Sequence, residues 1–497
     1  MQNKFDILII GSGIAGLSQA ITLVEKDASL KIGVISKSEV SITNTSLAQG
    51  GIAAVMSTEK DSYQAHIDDT IKASQNKADI QTVTHIVEHA HEGIHQLEKW
   101  GVEFDKENGE YHFGLEGGHS APRVLHVKDQ TGAAVHKQLL QKASSLQNIT
   151  ILEDCEAIEL LLNTDKSVGG ASVYNYQDQT IQEIQAKIVV LATGGMGQLF
   201  EYTTNSAIAT GDGILLAHQA GATIENIQAI QFHPTAFKQE GKNQLFLITE
   251  AMRGAGAYII NDEGKRFVFD YDERGELATR DIVSKAIYSE MKRSGSQQVY
   301  LDCRHISKEI LLQEFPFIYD YCKAAGIDLS QQIAPIVPAA HYSCGGIKVD
   351  IEGKTTVQNL YAIGECTNTG LHGNNRLASN SLLEAIVLAA DVTKSILSHI
   401  GNVQYNDMLP ASITEFDNTK LDLTEDEIKQ LKKLLSTYFI TNSGQDLYEI
   451  KQFLTVYFSY VKGLHGNSLE KLHFQNKLIL SHMLIEDRAG EKVRVEL

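Results

Sequence analysis

The sequence predicts an α/β fold: a Rossmann-like sheet, interrupted by an α+β capping segment and followed by a helical region. Three observations predict it. Ile7 to Ile10 is an unbroken apolar run that meets Gly11-Ser12-Gly13-Ile14-Ala15-Gly16 and then a helical stretch to about Lys26. Two further apolar runs ending in glycine, at 188–195 and 360–365, lie far downstream. After about residue 400 the hydrophobic positions return to helical spacing.

A continuous apolar run marks a strand buried on both faces, and Ile32 to Ile35 supplies the second strand of a βαβ unit. Between them, G-x-G-x-x-G is the turn a dinucleotide needs. Its glycines let the backbone approach a pyrophosphate, and the helix N-terminus offers N–H donors. The acid that reads the ribose of NAD is missing about 20 residues on. Ser36 and Lys37 stand there, which leaves the kind of dinucleotide open. The run Ile188-Val189-Val190-Leu191 ends in Gly194-Gly195. Leu360-Tyr361-Ala362-Ile363 precedes Gly364-Glu365 and a long helix after Asn380. These runs imply that the chain returns to its first sheet; two separate α/β units are the alternative. The expected division is 1–220 with 345–400, a capping domain at 221–344, and a helical domain at 401–497. In the last, Thr424 to Glu427 reads as a capping box ahead of Ile428, Leu431, Leu434 and Leu435.

At 497 residues the chain is too long for one compact domain. Forty-three Lys and Arg against 62 Asp and Glu give a net charge of −19, which argues against nucleic acid and anionic membranes as partners. Hydrophobic residues at 43% and charged residues at 21% exclude disordered and fibrous classes. No run of about 18 apolar residues is present, so no spanning helix is expected, and no secretory leader is visible. None of the five cysteines forms a CxxC pair, which speaks against a metal site and fits a reducing cytoplasm.

Cationic side chains sit in loops of small residues: His233 before Pro234, Arg253-Gly254 after Thr249 and Glu250, Arg280 after Ala278-Thr279, His341 after Ala339-Ala340, and Arg376 after Gly373-Asn374-Asn375. Singly each has a bland reading; Arg280 beside Asp281 fits a structural pair. In so acidic a chain, Arg280 and Arg376 together with His233 and His341 fit a dicarboxylate, because guanidinium forks match carboxylates bidentately.

With Thr45-Ser46-Leu47-Ala48-Gln49-Gly50-Gly51, Gly211-Asp212-Gly213, Gln231-Phe232-His233-Pro234-Thr235, Arg280-Asp281-Ile282 and Ala378-Ser379-Asn380-Ser381-Leu382-Leu383-Glu384, the chain resembles the succinate dehydrogenase/fumarate reductase flavoproteins. Within them it is similar to the branch that oxidises L-aspartate. The resemblance runs from about Phe5 to about Val387. It implies FAD in the interrupted domain, contacted by Gly11 to Gly16, Lys37, Asn44 to Gly51, Asp212, Glu365, Ser381 and Leu382. Relatives with covalent flavin carry His where this chain has Asn44, so the FAD is expected to be non-covalent. The resemblance also implies that Arg376 with His341 grips one carboxylate and His233 with Thr249 the other. Glu116 faces the ammonium group where succinate enzymes carry an uncharged residue, and Arg280 shuttles the proton. An arginine base, with a pKa above about 12, needs desolvation or a relay. Iminoaspartate is the implied product, O2 or fumarate the acceptor, and quinolinate synthase the consumer on the way to NAD. A soluble fumarate reductase or succinate oxidase, and a non-catalytic flavin-binding protein, are the rival readings. Ala255 replaces the family's commoner Glu near the site, and Glu486-Asp487-Arg488-Ala489-Gly490 is all that remains of a C-terminal Arg-x-Glu-Ser-Arg-Gly run.

Overall fold

The computed structural model describes residues 3–490. Its central sheet starts from the apolar run, which becomes the strand Lys4–Ile10, and the glycine turn leads into the helix Ile14–Lys26. Strands run in the order Ile149–Leu152, Ile32–Ile35, Lys4–Ile10, Thr180–Leu191, Val168–Asn175, Cys155–Leu162. The first four are parallel, whereas the last two form antiparallel hairpin neighbours. The far half of Thr180–Leu191 carries Leu360–Ala362 as a further parallel partner, with Val189 opposite Leu360 and Leu191 opposite Ala362. That pairing returns the chain to its first sheet and excludes two separate α/β units. Asn380–His399 then lies on the sheet beside the first helix.

Alternation along the first strand divides the core. Ile7 and Ile9 face the helices Ile14–Lys26, Ile80–Glu88, Ala90–Lys99 and Asn380–His399. Leu8 and Ile10 face the other way, into a cluster that includes Leu431, Leu435, Leu454, Leu478 and Leu484. The helices Glu425–Thr441, Gly444–Gly463 and Leu469–Arg488 therefore share the second face of the sheet. An amphipathic helix must bury its apolar stripe, and the sheet provides the surface.

Between the two passages through the sheet lies an antiparallel sheet ordered Phe246–Leu247, Ile230–Phe237, Ala334–Ser343, Val299–Asp302, Tyr258–Ile260. The helix Arg280–Ser294 packs on it over Ile248, Ile259, Val283, Ile287 and Leu301. No helix among the described residues is long and apolar enough to cross a membrane.

Candidate active site

One cleft, with about 1670 Å³ of space counting its open mouth, joins the glycine turn of the central sheet to the inner edge of the capping sheet. Its first arm is built from backbone. Gly11 has φ +123, and a Cβ there would sit deep inside van der Waals contact with the Ala192 carbonyl. Only glycine allows this approach of turn to strand. The helices Ile14–Lys26 and Asn380–His399 both begin at this cleft without a cap from their own N-cap side chains; Thr45 Oγ1 takes the Ile14 N–H at 3.0 Å, and the positive dipole ends are directed at the cleft. Ser12, Gly13, Ile14, Ala15, Ser381 and Leu382 line it. So do Asn44, Thr45, Leu47, Ala48, Gln49, Gly50 and Gly51, and the buried Gln49 Oε1 has no partner among the described residues. Two expected contacts lie outside the lining. Ser46 closes a capping box with Thr43, and Gly16 packs its helix against Gly11, where a Cβ would meet the Gly11 carbonyl.

Lys37 reaches Asp212 at 2.6 Å and the buried Glu156 at 2.8 Å. Glu365 accepts from the Ser343 N–H at 3.0 Å and from Asn44 Nδ2 at 3.5 Å, and burial pushes its carboxyl up to about 7. Asn44 also accepts from the Ser206 N–H at 2.9 Å. An amide has no nucleophilic ring nitrogen, so position 44 offers no covalent attachment to a flavin.

The second arm is a cluster of buried charges. Arg280 Nε donates to Glu250 at 2.6 Å and Arg280 Nη1 to Gln231 Oε1 at 2.9 Å. Its partner is therefore Glu250 rather than Asp281, which accepts from Gln75 at 3.2 Å near the surface. Arg280 and Asp281 are adjacent in the first turn of a helix, where neighbours project apart. Arg253 meets the other oxygen of Glu250 at 3.0 Å, giving a buried chain Arg280–Glu250–Arg253. Burial alone would raise the Glu250 carboxyl, but the two guanidinium groups hold it below its ordinary value. Ala255 caps the C-terminal end of the same short helix, exposed and outside the cleft lining, so it does not reach the site.

His233 accepts the Thr235 N–H at Nδ1 over 3.3 Å, which puts its proton on Nε2. That atom is buried and without a partner among the described residues. Arg376 Nη2 donates to His341 Nε2 at 3.2 Å, so His341 uses Nδ1–H toward Thr204 Oγ1 at 2.8 Å. Burial, and then the Arg280 charge, press both imidazoles well below their ordinary pKa and keep them neutral. The Arg376 guanidinium lies 4.6 Å from the Tyr342 ring centroid, and its Nε is a second buried orphan donor. Glu116 is buried beside them and accepts from Ser379 Oγ at 2.6 Å; burial raises its carboxyl. Thr249 lines the same arm, its hydroxyl making no capping bond to the helix it precedes.

The cleft thus joins every residue expected at the substrate. Gln231 and Ser379 lie within the family motifs without a role assigned to them, and Tyr342 directly follows His341. Glu156 had no motif, since its burial with Lys37 is a tertiary event.

A dinucleotide arm opening directly onto a buried Arg–His–Glu cluster defines a flavin-dependent oxidoreductase, and FAD is its cofactor. A family model described as an FAD binding domain matches residues 6–382. The chain is 44% identical to an L-aspartate oxidase of Yersinia pestis, over 85% of this chain and 80% of that one. It is 39% identical to an L-aspartate oxidase of Pseudomonas aeruginosa, over 97% and 92%. Among solved structures, an E. coli quinol fumarate reductase superposes with a TM-score of 0.86 at 26% identity, covering 97% of this chain and 88% of that one. The chain belongs to the L-aspartate oxidase family.

Proposed function

We propose that this protein oxidises L-aspartate to iminoaspartate in the cytoplasm, with O2 or fumarate as final acceptor, as the first step toward NAD. The observation that carries the reading is Glu116: a buried carboxylate set against Arg376, Arg280 and two neutral histidines. Cations alone would suit succinate or fumarate. An added carboxylate costs desolvation unless a positive group meets it; once the substrate carboxylates claim Arg376 and Arg280, the substrate ammonium supplies that group.

Lys37, Asp212, Glu365 and the amides of the two helix N-termini would hold the FAD. Bound FAD supplies a two-electron acceptor for hydride and passes the electrons on to O2 or fumarate. The orphan donors His233 Nε2 and Arg376 Nε are the groups that carboxylates would satisfy. Thr249 and His341 would complete the two clamps and fix the Cα–H against the cofactor, an orientation effect that supplies several kcal/mol. Arg280 would take the proton that the substrate loses along with the hydride and carry it away from the substrate, and its bond to Glu250, continued to Arg253, gives the relay an arginine needs. Iminoaspartate leaves for hand-off to quinolinate synthase.

The likeness to a fumarate reductase fold favours one rival, a dicarboxylate enzyme blind to the amine. Two measurements decide. L-Aspartate bleaches the flavin of the anaerobic protein, while D-aspartate and succinate bleach it far less; bleaching by succinate alone overturns the proposal. Glu116→Gln lowers kcat/KM for L-aspartate by about 100-fold. Fumarate reduction changes little in the same variant, and an equal loss in both reactions would sink the ammonium pairing.

A further inference from the structure

We propose that His119 is a positioning residue: held in one tautomer by the buried Arg123 guanidinium, it ties the Glu116 turn to the Arg376 segment and so sets the enzyme's selectivity for an amine. The inference rests on Glu116 reading the substrate ammonium.

Glu116 needs such a tie. It lies in an irregular stretch between the two-residue strands Phe113–Gly114 and Val124–Leu125, so no ladder of backbone bonds fixes it. Two bonds cross from this stretch to the loop before the helix Asn380–His399. Ser379 Oγ donates to Glu116 Oε2 at 2.6 Å, and His119 Nε2 meets the Ala378 carbonyl at 2.9 Å. His119 N–H also returns to the Glu116 carbonyl at 3.2 Å, closing the turn. Ser379 holds a left-handed φ of +62, a conformation that a residue with a Cβ keeps only under restraint.

The direction of the His119 bond follows from chemistry. Arg123 has a fully buried side chain, donates from Nε and Nη2 to both oxygens of Asp61 at 2.8 Å, and from Nη1 to Asp69 at 2.6 Å. The same Nη1 lies 2.9 Å from His119 Nδ1. A guanidinium has no acceptor to offer, so Nδ1 must accept and the single ring proton must sit on Nε2, aimed at Ala378. Burial and the adjacent Arg123 hold the imidazole down to about 4, so the tautomer persists at neutral pH. One strut, with the buried Arg123 at its centre, therefore runs from Asp61 and Asp69 through Arg123 and His119 to residues 378–379, with Glu116 on one side and Arg376 on the other. His119 itself is absent from the cleft lining.

The test uses the FAD-loaded full chain with His119→Leu, His119→Gln, Glu116→Gln and the His119→Leu/Glu116→Gln pair. Leucine removes both ring nitrogens yet leaves Arg123 paired with Asp61 and Asp69. Glutamine restores a donor near the Nε2 position. The expected result is an L-aspartate KM raised about tenfold in His119→Leu, with kcat and the succinate inhibition constant within about twofold. His119→Gln recovers most of the loss. The double variant is no worse than Glu116→Gln, because both changes remove one interaction. Losses that multiply in the double variant, or equal weakening of succinate and L-aspartate in His119→Leu, overturn the proposal. So does a parallel fall in FAD affinity and thermal midpoint in both His119 variants, which marks a merely structural role. If Glu116→Gln itself fails to separate L-aspartate from succinate, the ammonium reading falls, and the strut proposal with it. Discrimination lost in Glu116→Gln but kept in His119→Leu sinks the strut alone.

Discussion

Glu365 shows how far one residue's environment departs from its letter. In the sequence it is a glutamate after a strand-ending glycine; in the fold it is a buried acid whose carboxyl sits near 7 because burial outweighs its two hydrogen bonds. A folded-state value above the unfolded one means that its contribution to stability is full below about pH 4.5 and is lost as pH rises through 7. We expect Glu365→Gln apoprotein to match the parent near pH 4.5 and to exceed it progressively up to pH 7. The gain then levels at about 3 kcal/mol, read as the difference in thermal midpoint against pH. A difference independent of pH would refute the assignment. The residue types at the substrate arm were legible, because Arg, His and Glu in small-residue loops of an acidic chain are unusual. Their partners were not: Ser379 meets Glu116 from 263 positions away, and Glu250 claims Arg280 from 30. Spacing along a chain carries no signal for such pairs.

Whole elements were more legible than pairings, since periodicity and capping are local. The first helix was expected to end near Lys26 and does, and the last strand before Gly364 forms as read. The capping box at Thr424 is present in full: Glu427 N–H meets Thr424 Oγ1 at 3.2 Å and Thr424 N–H meets Glu427 at 2.8 Å. Removing such a cap costs about 1 kcal/mol. Thr424→Ala should therefore speed amide exchange in the first turn of Glu425–Thr441 about fivefold, without altering turnover. Unchanged exchange would show that the helix is fixed by packing alone. The helix Tyr63–Ala73 illustrates the opposite limit. It carries no motif, yet its Asp69, with Asp61 just ahead of it, anchors Arg123.

At the scale of the molecule, a net charge of −19 surrounds a cleft in which Lys37 and Arg280 are each held by carboxylates. Lys37 is the case that joins the two ends of the chain. Its partner Glu156 also takes His473 Nε2 at 3.0 Å from the helix Leu469–Arg488, and Tyr176 as a further donor. Burial would raise Glu156, but His473 and Lys37 hold it down to about 2, so it stays ionised and keeps Lys37 at the cleft wall. The C-terminal helices thus brace the sheet from behind through their shared core and reach the cofactor arm through one charge-assisted bond. Such a bond is worth about 1.5 to 3 kcal/mol, and only part of that passes through Glu156 to the cleft. We expect His473→Leu to weaken FAD binding by roughly fivefold, measured by flavin fluorescence on titrating apoprotein, while the KM for L-aspartate at saturating FAD holds. The two arms of the cleft respond separately because the Arg280–Glu250–Arg253 chain and the Lys37–Glu156–His473 chain share no residue. A shift in KM with FAD affinity intact would mean that the helical region acts on the substrate arm instead.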